Sequence, residues 1–179
     1  MNIKKLDEKF FFRNARNVAQ ELLGKILVRR AGIEEIRARI VETEAYFDEK
    51  DPASRATKNG DLKETMKMKP GTILVYGVHN NWLLNFITRE EGIAEAVLIR
   101  ALEPLNFNMN TKGPGLLTRA LKIDKSFHKK NIAETEDFWI EDDNKGKFEI
   151  QDSFRIGIRK DLPMKLRFYI KGNKFVSKK

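Results

Sequence analysis

The chain has 179 residues, enough for one domain with a buried hydrophobic core or for two small domains at most. Hydrophobic residues make up 41% of the chain and charged residues 34%, and no run of about 18 apolar residues occurs, so the composition predicts a globular protein without a membrane span. The chain has no cysteine, which excludes disulfides and thiolate catalysis. Its two histidines stand far apart in sequence, which argues against a zinc site. The net charge of +9 favours a polyanionic partner.

The first half of the chain predicts a helix, two strands and a loop. Residues 14–24 have apolar positions at helical spacing and end at Gly24, a residue that commonly terminates helices. Residues 25–30 and 36–46 predict one short and one longer strand. Residues 48–71 are polar and lack a clear period, so we expect a loop there that can include a turn of helix.

The middle of the chain predicts a β-hairpin, a strand and a helix. In residues 71–88, two apolar runs flank residues 79–81, whose asparagines tolerate the positive φ angles of a tight turn. Residues 94–105 predict a buried strand that is closed by Pro104. Residues 112–123 predict a helix, because proline suits its first turn and apolar residues follow at helical spacing.

The last third of the chain predicts short strands at residues 138–142, 153–158 and 166–172, followed by a basic tail. Because strands dominate and helices are interspersed, the sequence predicts one mixed α+β domain over residues 1–179. The N-terminal segment carries acidic residues and lacks a long apolar stretch, so it does not predict a secretory signal.

One face of the strand predicted at residues 36–46 begins apolar and ends in charge. Because side chains alternate along a strand, we expect six residues on that face. They are Ile36, Ala38, Ile40, Glu42, Glu44 and Tyr46. Two carboxylates about 7 Å apart repel each other, so at least one needs a raised pKa or a cationic partner. The pair indicates either a general acid or base in a pocket or a strand end with both acids exposed to solvent.

Arg100 lies inside an otherwise apolar strand, where a buried guanidinium must be paired. Its candidate partners are Glu42, Glu44 and Glu103. If Glu44 is the partner, the arginine holds an ionised carboxylate with room for a water molecule. The alternative is an arginine at the edge of the sheet.

Aromatic and basic residues suggest where a nucleic acid could bind. Tyr46, Tyr76 and Trp82 could stack on a nucleobase or pack in the hydrophobic core. Lys112 lies at the start of a predicted helix, where free N–H groups favour anions. The basic stretch at residues 159–171 could be a solvated face or a track for DNA phosphates.

Several segments, taken together, resemble the alkyladenine DNA glycosylases, the 3-methyladenine DNA glycosylases of the mammalian type that are also widespread in bacteria. In chain order they read FF…A…LLGKILVRR, ARIVETEAYFDEKDPAS, KPGTILVY, VLIRALEPL, GPGLLTRALKIDKSF, RIGI and LRFYIKGNKFVS. The core of the signal is RIVETEAY followed by RALEPL. The segments keep the family's order and span nearly the whole chain, so their combination is far more specific than any one of them.

The resemblance implies a fold and an activity. The fold is α+β, a single mixed domain with a curved antiparallel β-sheet core, surrounding helices and a protruding β-hairpin. The activity is that of a monomeric enzyme without metal or cofactor, which flips a damaged purine out of double-stranded DNA and cleaves its N-glycosidic bond. The implied lesions are alkylated or deaminated purines, such as 3-methyladenine, 7-methylguanine and hypoxanthine, removed in base excision repair.

The resemblance also implies roles for individual residues. Glu44 matches the general base that activates a water for attack at C1′, and Arg100 matches the arginine that holds this base and the water. Tyr46 matches an aromatic residue that stacks on the flipped base, and Tyr76 matches a second pocket tyrosine. Asn85 matches the asparagine that clashes with the 2-amino group of guanine. The implied enzyme is monofunctional, without a lyase step.

The sequence departs from the family pattern in the pocket and in the hairpin. Arg55 stands where the family usually has a histidine that hydrogen-bonds the flipped base. An arginine side chain is always charged and can only donate hydrogen bonds. Arg55 could therefore favour acceptor-rich bases such as hypoxanthine, or it could point to a phosphate instead. The hairpin is one residue shorter than usual, so Tyr76 is either the pocket tyrosine, which we prefer, or the wedge that enters the duplex. In the preferred register the wedge is Val78 or His79. The remaining DNA contacts are expected at Lys112, Gly113, Arg119 and Lys171.

Two other classes of protein stay open at this point. One is a non-catalytic protein that binds damaged DNA on the same fold, which the unusual Arg55 keeps open. The other is a sugar hydrolase that uses Glu42 and Glu44 as a carboxylate pair, against which the positive net charge and the chain-long resemblance argue. The expected location is the cytoplasm, in association with the nucleoid if the source is prokaryotic.

Overall fold

The computed structural model describes residues 4–142 and 147–178, in which a curled antiparallel sheet is surrounded by short helices. In those ranges the helices are α1 (Glu8–Phe11), α2 (Ala15–Leu22), α3 (Asp61–Met66) and α4 (Pro114–Ala120), with 3-10 turns at Arg55–Thr57 and Lys125–Phe127. The strands there are β1 (Lys4–Lys5), β2 (Ile26–Ala31), β3 (Glu34–Tyr46), β4 (Ile73–Val78), β5 (Asn81–Ile87), β6 (Ala96–Pro104), β7 (Phe138–Asp142), β8 (Ile150–Ser153) and β9 (Arg167–Ile170). This architecture confirms the predicted α+β class.

The long strand β3 shapes the sheet. Its residues 34–39 pair with β2 and its residues 42–44 pair with β9, both along one edge. Residues 38–46 pair with β6 along the other edge. The strand order is β1-β7-β2-β3-β6-β5-β4, with β9 and then β8 attached to the second half of β3. Because one edge of β3 carries two successive neighbours, the sheet changes direction at the middle of this strand.

A bulge in β3 exchanges the faces of the strand. The register with β6 shifts twice between Ile40 and Thr43, which interrupts the alternation of side chains. Ile40 and Val41 are neighbours in sequence, yet both lie in the main hydrophobic core. Thr43 donates to a carbonyl of α2 at 2.7 Å on the core side, so Glu42 and Glu44 point away from the core. The prediction of one unbroken face that runs from apolar to charged is therefore wrong.

Helix α2 covers the core side of β3. It begins after Asn14, whose side chain accepts a hydrogen bond from the Asn17 N–H at 3.0 Å, and it ends just before Gly24, whose φ is +89°. Val18 and Leu22 are fully buried on its inner face. The prediction of a helix that stops at Gly24 is confirmed.

Strands β4 and β5 form the predicted hairpin. The turn consists of His79 and Asn80, whose φ angles of 48° and 60° give the strands the twist that two-residue turns favour. Asn81 pairs with Val78, so it is the first residue of β5 and does not belong to the turn. Helix α4 packs against this hairpin, and its Thr118 hydroxyl donates to a β5 carbonyl at 2.9 Å.

The other predicted elements are confirmed with small changes at their ends, except for the strand expected at residues 153–158. There β8 ends at Ser153, because the chain then turns inward to bury Arg155. The polar stretch at residues 48–71 contains α3 and a 3-10 turn, which is more helix than its composition predicts. No helix within the described ranges is long and apolar enough to cross a membrane.

Candidate active site

A row of side chains crosses neighbouring strands on the face opposite the main core. In order across the sheet, the paired residues are Leu74, Asn85, Leu98, Glu44 and Arg167. Residues that pair directly lie on the same face of a sheet. The register therefore brings Asn85 of the hairpin and Glu44 of β3 onto one face, separated by Leu98 alone.

Glu44 is fully buried, and both of its carboxylate oxygens accept hydrogen bonds. Oε1 accepts the Ile156 N–H at 2.8 Å, while Oε2 accepts the Tyr46 hydroxyl at 2.8 Å and Arg100 Nη1 at 3.3 Å. Burial raises the pKa of Glu44 above its ordinary value of 4.5, although Arg100 and the Ile156 N–H oppose this rise. Glu44 is thus a fixed carboxylate with the raised basicity that suits a general base.

Glu42 is also fully buried, but its oxygens are surrounded by donors. Oε1 accepts Arg167 Nε at 2.7 Å, the Ser177 hydroxyl at 2.9 Å and Arg100 Nε at 3.3 Å. Oε2 accepts the Ser177 N–H at 2.6 Å. The alternative that both acids of the strand are exposed to solvent is wrong, and Glu42 acts as a structural anion that anchors two arginines.

Arg100 joins the two carboxylates. It lies in the internal strand β6, is only 8% exposed, and forms ion pairs of 3.3 Å with both Glu42 and Glu44. Glu103, the third candidate partner, instead accepts from Asn173 at 3.2 Å. The expected pairing of Arg100 with Glu44 is confirmed, and the alternative of an arginine at the sheet edge is wrong.

Tyr46 is held by a hydrogen bond on one side and by a cation on the other. Its hydroxyl donates to Glu44, and the guanidinium carbon of Arg155 lies 4.5 Å from the ring centre. Arg155 is itself buried and donates to both oxygens of Asp51, at 2.6 and 2.7 Å, and to Asp161 at 3.1 Å. Burial raises the pKa of Tyr46 well above 10.0, and Glu44 acts in the same direction, so the phenol stays protonated and donates.

Tyr46, Tyr76, Asn85 and Arg55 line one narrow pocket on this face. The remaining lining residues are Ala53, Met66, Leu74 and Ala96. The guanidinium carbon of Arg55 lies 4.9 Å from the centre of the Tyr76 ring, and Asn85 donates to a β4 carbonyl at 3.1 Å. The free volume is about 10 Å³, room for about one water molecule. A ligand larger than a water molecule can enter this pocket only after a lining side chain moves.

The two wedge candidates lie at the end of the hairpin. Val78 is half-buried and, by strand alternation, lies on the same face as Tyr76. His79 is exposed in the turn. The hairpin therefore presents one apolar and one polar side chain at its end, close to Tyr76 of β4 in the pocket lining.

Three of the predicted phosphate contacts lie at or in α4, and the fourth lies after β9. Lys112 is exposed and Gly113 precedes the short helix α4, whose Arg119 donates to a side-chain oxygen of the hairpin at 3.3 Å. Lys171 follows β9 and pairs with Glu149 at 2.5 Å. Within the described residues, none of these four lines the pocket.

Sequence reasoning missed three charged residues of the site. Arg167 lies in an apolar stretch, the signal that singled out Arg100, and could have been found by the same argument. Arg155 and Asp51 carried no such signal, because the one was expected in a strand and the other in a polar loop. Their pairing joins positions 104 residues apart and becomes visible only in the folded chain.

Comparisons with known proteins agree with this geometry. Residues 9–174 match the family model described as methylpurine-DNA glycosylase. A protein of Aeropyrum pernix named "Putative 3-methyladenine DNA glycosylase" is 43% identical over 97% of this chain and 93% of its own length. Proteins with the same name from Legionella pneumophila strain Corby and Clostridium tetani are 38% and 39% identical over 98% of this chain and 100% of their own lengths. The chain therefore belongs to the methylpurine-DNA glycosylase family, a family of DNA repair hydrolases, as its sequence motifs predicted.

Proposed function

We propose that the chain is a DNA N-glycosylase that excises alkylated or deaminated purines in base excision repair. The observation that carries this proposal is the buried carboxylate of Glu44, held by Arg100 and adjoining a pocket that Tyr46 and Tyr76 line. The family and the names of the relatives support methylated purines as substrates. The proposed lesions are 3-methyladenine, 7-methylguanine and hypoxanthine.

The pocket is suited to a base that has left the DNA stack. A purine inside a duplex is inaccessible to Glu44, so the nucleotide must be flipped out before reaction. Tyr46 and Tyr76 then stack on the two faces of the base. Asn85 also lines the pocket and disfavours guanine by a clash with its 2-amino group.

The proposed reaction is hydrolysis at C1′ of the damaged nucleotide. Glu44 takes a proton from a water while the water oxygen bonds to C1′, and the electrons of the N-glycosidic bond leave with the purine. Arg100 fixes the position of Glu44 and lowers its pKa, which opposes the rise caused by burial. A cationic alkylated purine leaves readily, whereas a neutral purine such as hypoxanthine needs a proton.

The pocket supports a monofunctional enzyme. Its lining, within the described residues, contains no lysine whose amine could attack C1′ and start a lyase step. Water activated by Glu44 is therefore the proposed nucleophile. The product is a free base and an intact strand that carries an abasic site.

The proposed partner is double-stranded DNA bound by a monomer. The net charge of +9 favours the phosphate backbone. Val78 or His79 enters the gap that the flipped base leaves, since both lie at the end of the hairpin. The proposed phosphate contacts are Lys112, Gly113, Arg119 and Lys171.

Product analysis tests this proposal. Duplexes that carry hypoxanthine or 7-methylguanine in one strand are incubated with the protein in single-turnover conditions. We expect release of the free base, with strand cleavage only after treatment with hot alkali. Strand cleavage without alkali would contradict the proposal of a monofunctional glycosylase. A lesion base that stays in the DNA would contradict the proposal that the chain is a glycosylase.

A second candidate is a protein that binds damaged DNA without cutting it. The exposed Arg55 in the pocket lining keeps this candidate open, because it stands where the family usually has a histidine. Tight binding of lesion duplexes without base release would support it. The sugar hydrolase is disfavoured, because the donors around Glu42 leave that carboxylate no role as a second catalytic acid.

A further inference from the structure

Both tyrosines of the pocket already carry a guanidinium group over their rings. Arg155 lies 4.5 Å from the ring centre of Tyr46, and Arg55 lies 4.9 Å from that of Tyr76. Each contact is a cation–π interaction, which places positive charge beside the aromatic surfaces that line the pocket.

The two arginines differ in how their charge is compensated. Arg155 is buried and is neutralised by Asp51 and Asp161. Arg55 is exposed and, within the described residues, has no carboxylate partner. Arg55 therefore contributes an uncompensated positive charge to the pocket lining.

The backbone that carries Arg55 is fixed, although its side chain is exposed. The Ser54 hydroxyl accepts the Ala56 N–H at 3.1 Å, and both Ser54 and Ala56 are buried. Asp51, which pairs with Arg155, also accepts the Ala53 N–H at 3.0 Å and so ties the loop to the site. The Arg55 side chain can therefore move while the backbone that carries it keeps these hydrogen bonds.

We infer that Arg55 is a charged lid that determines substrate specificity: it covers Tyr76 in the free protein, moves from this ring to the edge of the base when a base enters, and selects neutral purines that present an acceptor over cationic alkylated purines. This inference rests on the proposed function and narrows its substrate class.

Two physical effects act in the same direction. A cationic base beside the unpaired guanidinium is repelled, most strongly when water has left the pocket. A guanidinium can only donate hydrogen bonds, so the carbonyl oxygen of hypoxanthine can accept from it, while a methylated cationic ring gains nothing. Removal of the Arg55 charge should therefore raise the excision rate of cationic lesions and lower that of hypoxanthine.

The test compares Arg55→Gln and Arg55→Lys with the unchanged chain. The measured quantity is the ratio of single-turnover excision rates for hypoxanthine over 7-methylguanine. We expect this ratio to fall about tenfold in Arg55→Gln and to stay near the unchanged value in Arg55→Lys, which keeps the charge. Lys58→Gln is the matched control, because it removes an exposed positive charge from the same loop outside the pocket lining.

The same substitutions are also made in a Glu44→Gln background, where affinities for the two lesion duplexes are measured relative to a duplex with an abasic-site analogue. This readout does not need excision, so a failure of the proposed reaction is distinguishable from a failure of the lid. Equal ratios in Arg55→Gln and the unchanged chain would overturn the inference. An equal fall in Arg55→Lys or in Lys58→Gln would also overturn it, because the charge of Arg55 in the pocket would then not be the selective property.

Discussion

Glu42 and Glu44 stand two residues apart on β3, yet their surroundings give them different chemistry. Glu42 accepts from two arginines and from the hydroxyl and N–H of Ser177, so it is saturated with donors. Glu44 has a single arginine, Arg100, together with one phenol and one backbone N–H. Because its charge is less compensated, Glu44 is the carboxylate that we propose as the acceptor of a proton from water.

The raised pKa of Glu44 predicts how excision depends on pH. A general base works only when ionised, so the rate should be lost as the pH falls through a pKa above 4.5. Because Arg100 opposes the effect of burial, Arg100→Gln should move the acid limb to still higher pH. By linkage, the stability contributed by Glu44 is present at low pH and is lost as the pH rises through its raised pKa. The measurement is the single-turnover rate of excision against pH.

Arg30→Gln is the control for this profile. Arg30 lies near the exposed end of β2 and pairs with Glu35 at 3.5 Å, so its removal lowers the net charge without touching the site. The acid limb should stay in place in this variant. An acid limb at or below 4.5 in the unchanged chain, or equal shifts in both variants, would contradict the assignment.

Residue identities could be predicted where a charge interrupts an apolar strand. Glu44 and Arg100 stood out in this way, and their contact is present at 3.3 Å. Arg155 could not be predicted, because the stretch around it was expected to be a strand with ordinary alternation. Its partner Asp51 lies in a polar loop, where an aspartate is expected whether or not it has a partner.

The bulge in β3 is the element on which the site depends. A regular strand would have put Glu42 and Glu44 on the same face as Ile40, in the main core. The register shift against β6 turns them to the other face, where both form ion pairs with Arg100. This shift could not be predicted, because the apolar and polar residues of the bulged segment still alternate well enough to indicate one regular strand.

The contact between α4 and the hairpin makes a second prediction at this scale. A Cβ added at Gly115 would lie 2.6 Å from Cβ of Asn81, closer than the two elements can tolerate. Gly115→Ala should therefore lower the free energy of unfolding by about 1–3 kcal/mol, which exceeds the small gain in helix propensity. Denaturant unfolding measures this loss.

Gly113→Ala is the matched substitution, one residue before the same helix. Its added Cβ would meet only a flexible leucine side-chain atom at 3.7 Å, an ordinary contact. We expect a change of at most about 0.5 kcal/mol. Equal unfolding midpoints for the two variants would mean that the close approach of α4 to the hairpin does not constrain the fold.

At the scale of the whole molecule, the class of fold could be predicted and the order of strands could not. Alternating strands and short helices indicated α+β, and the turn at His79 and Asn80 marked the hairpin. The pairing of β1 with β7 and of β9 with β3 joins distant parts of the chain. Such long-range pairings depend on which faces must be buried together, and a single sequence does not encode them locally.

In the proposed function, DNA binding and cleavage depend on different residues. We propose that the net charge of +9 favours the phosphate backbone, and we assign cleavage to one buried carboxylate. Glu44→Gln keeps the shape of the side chain and removes its basicity. Glu34→Gln makes the same change on the same strand at an exposed position, so it is the control.

The most direct measurement is single-turnover excision of hypoxanthine and 7-methylguanine by these two variants, with lesion-duplex affinity measured in parallel. We expect Glu44→Gln to lose at least about a hundredfold in rate while its affinity is kept, because a general base contributes about that much or more. Glu34→Gln should match the unchanged chain in both quantities. Near-normal excision by Glu44→Gln would contradict the role of Glu44 as the base that activates water.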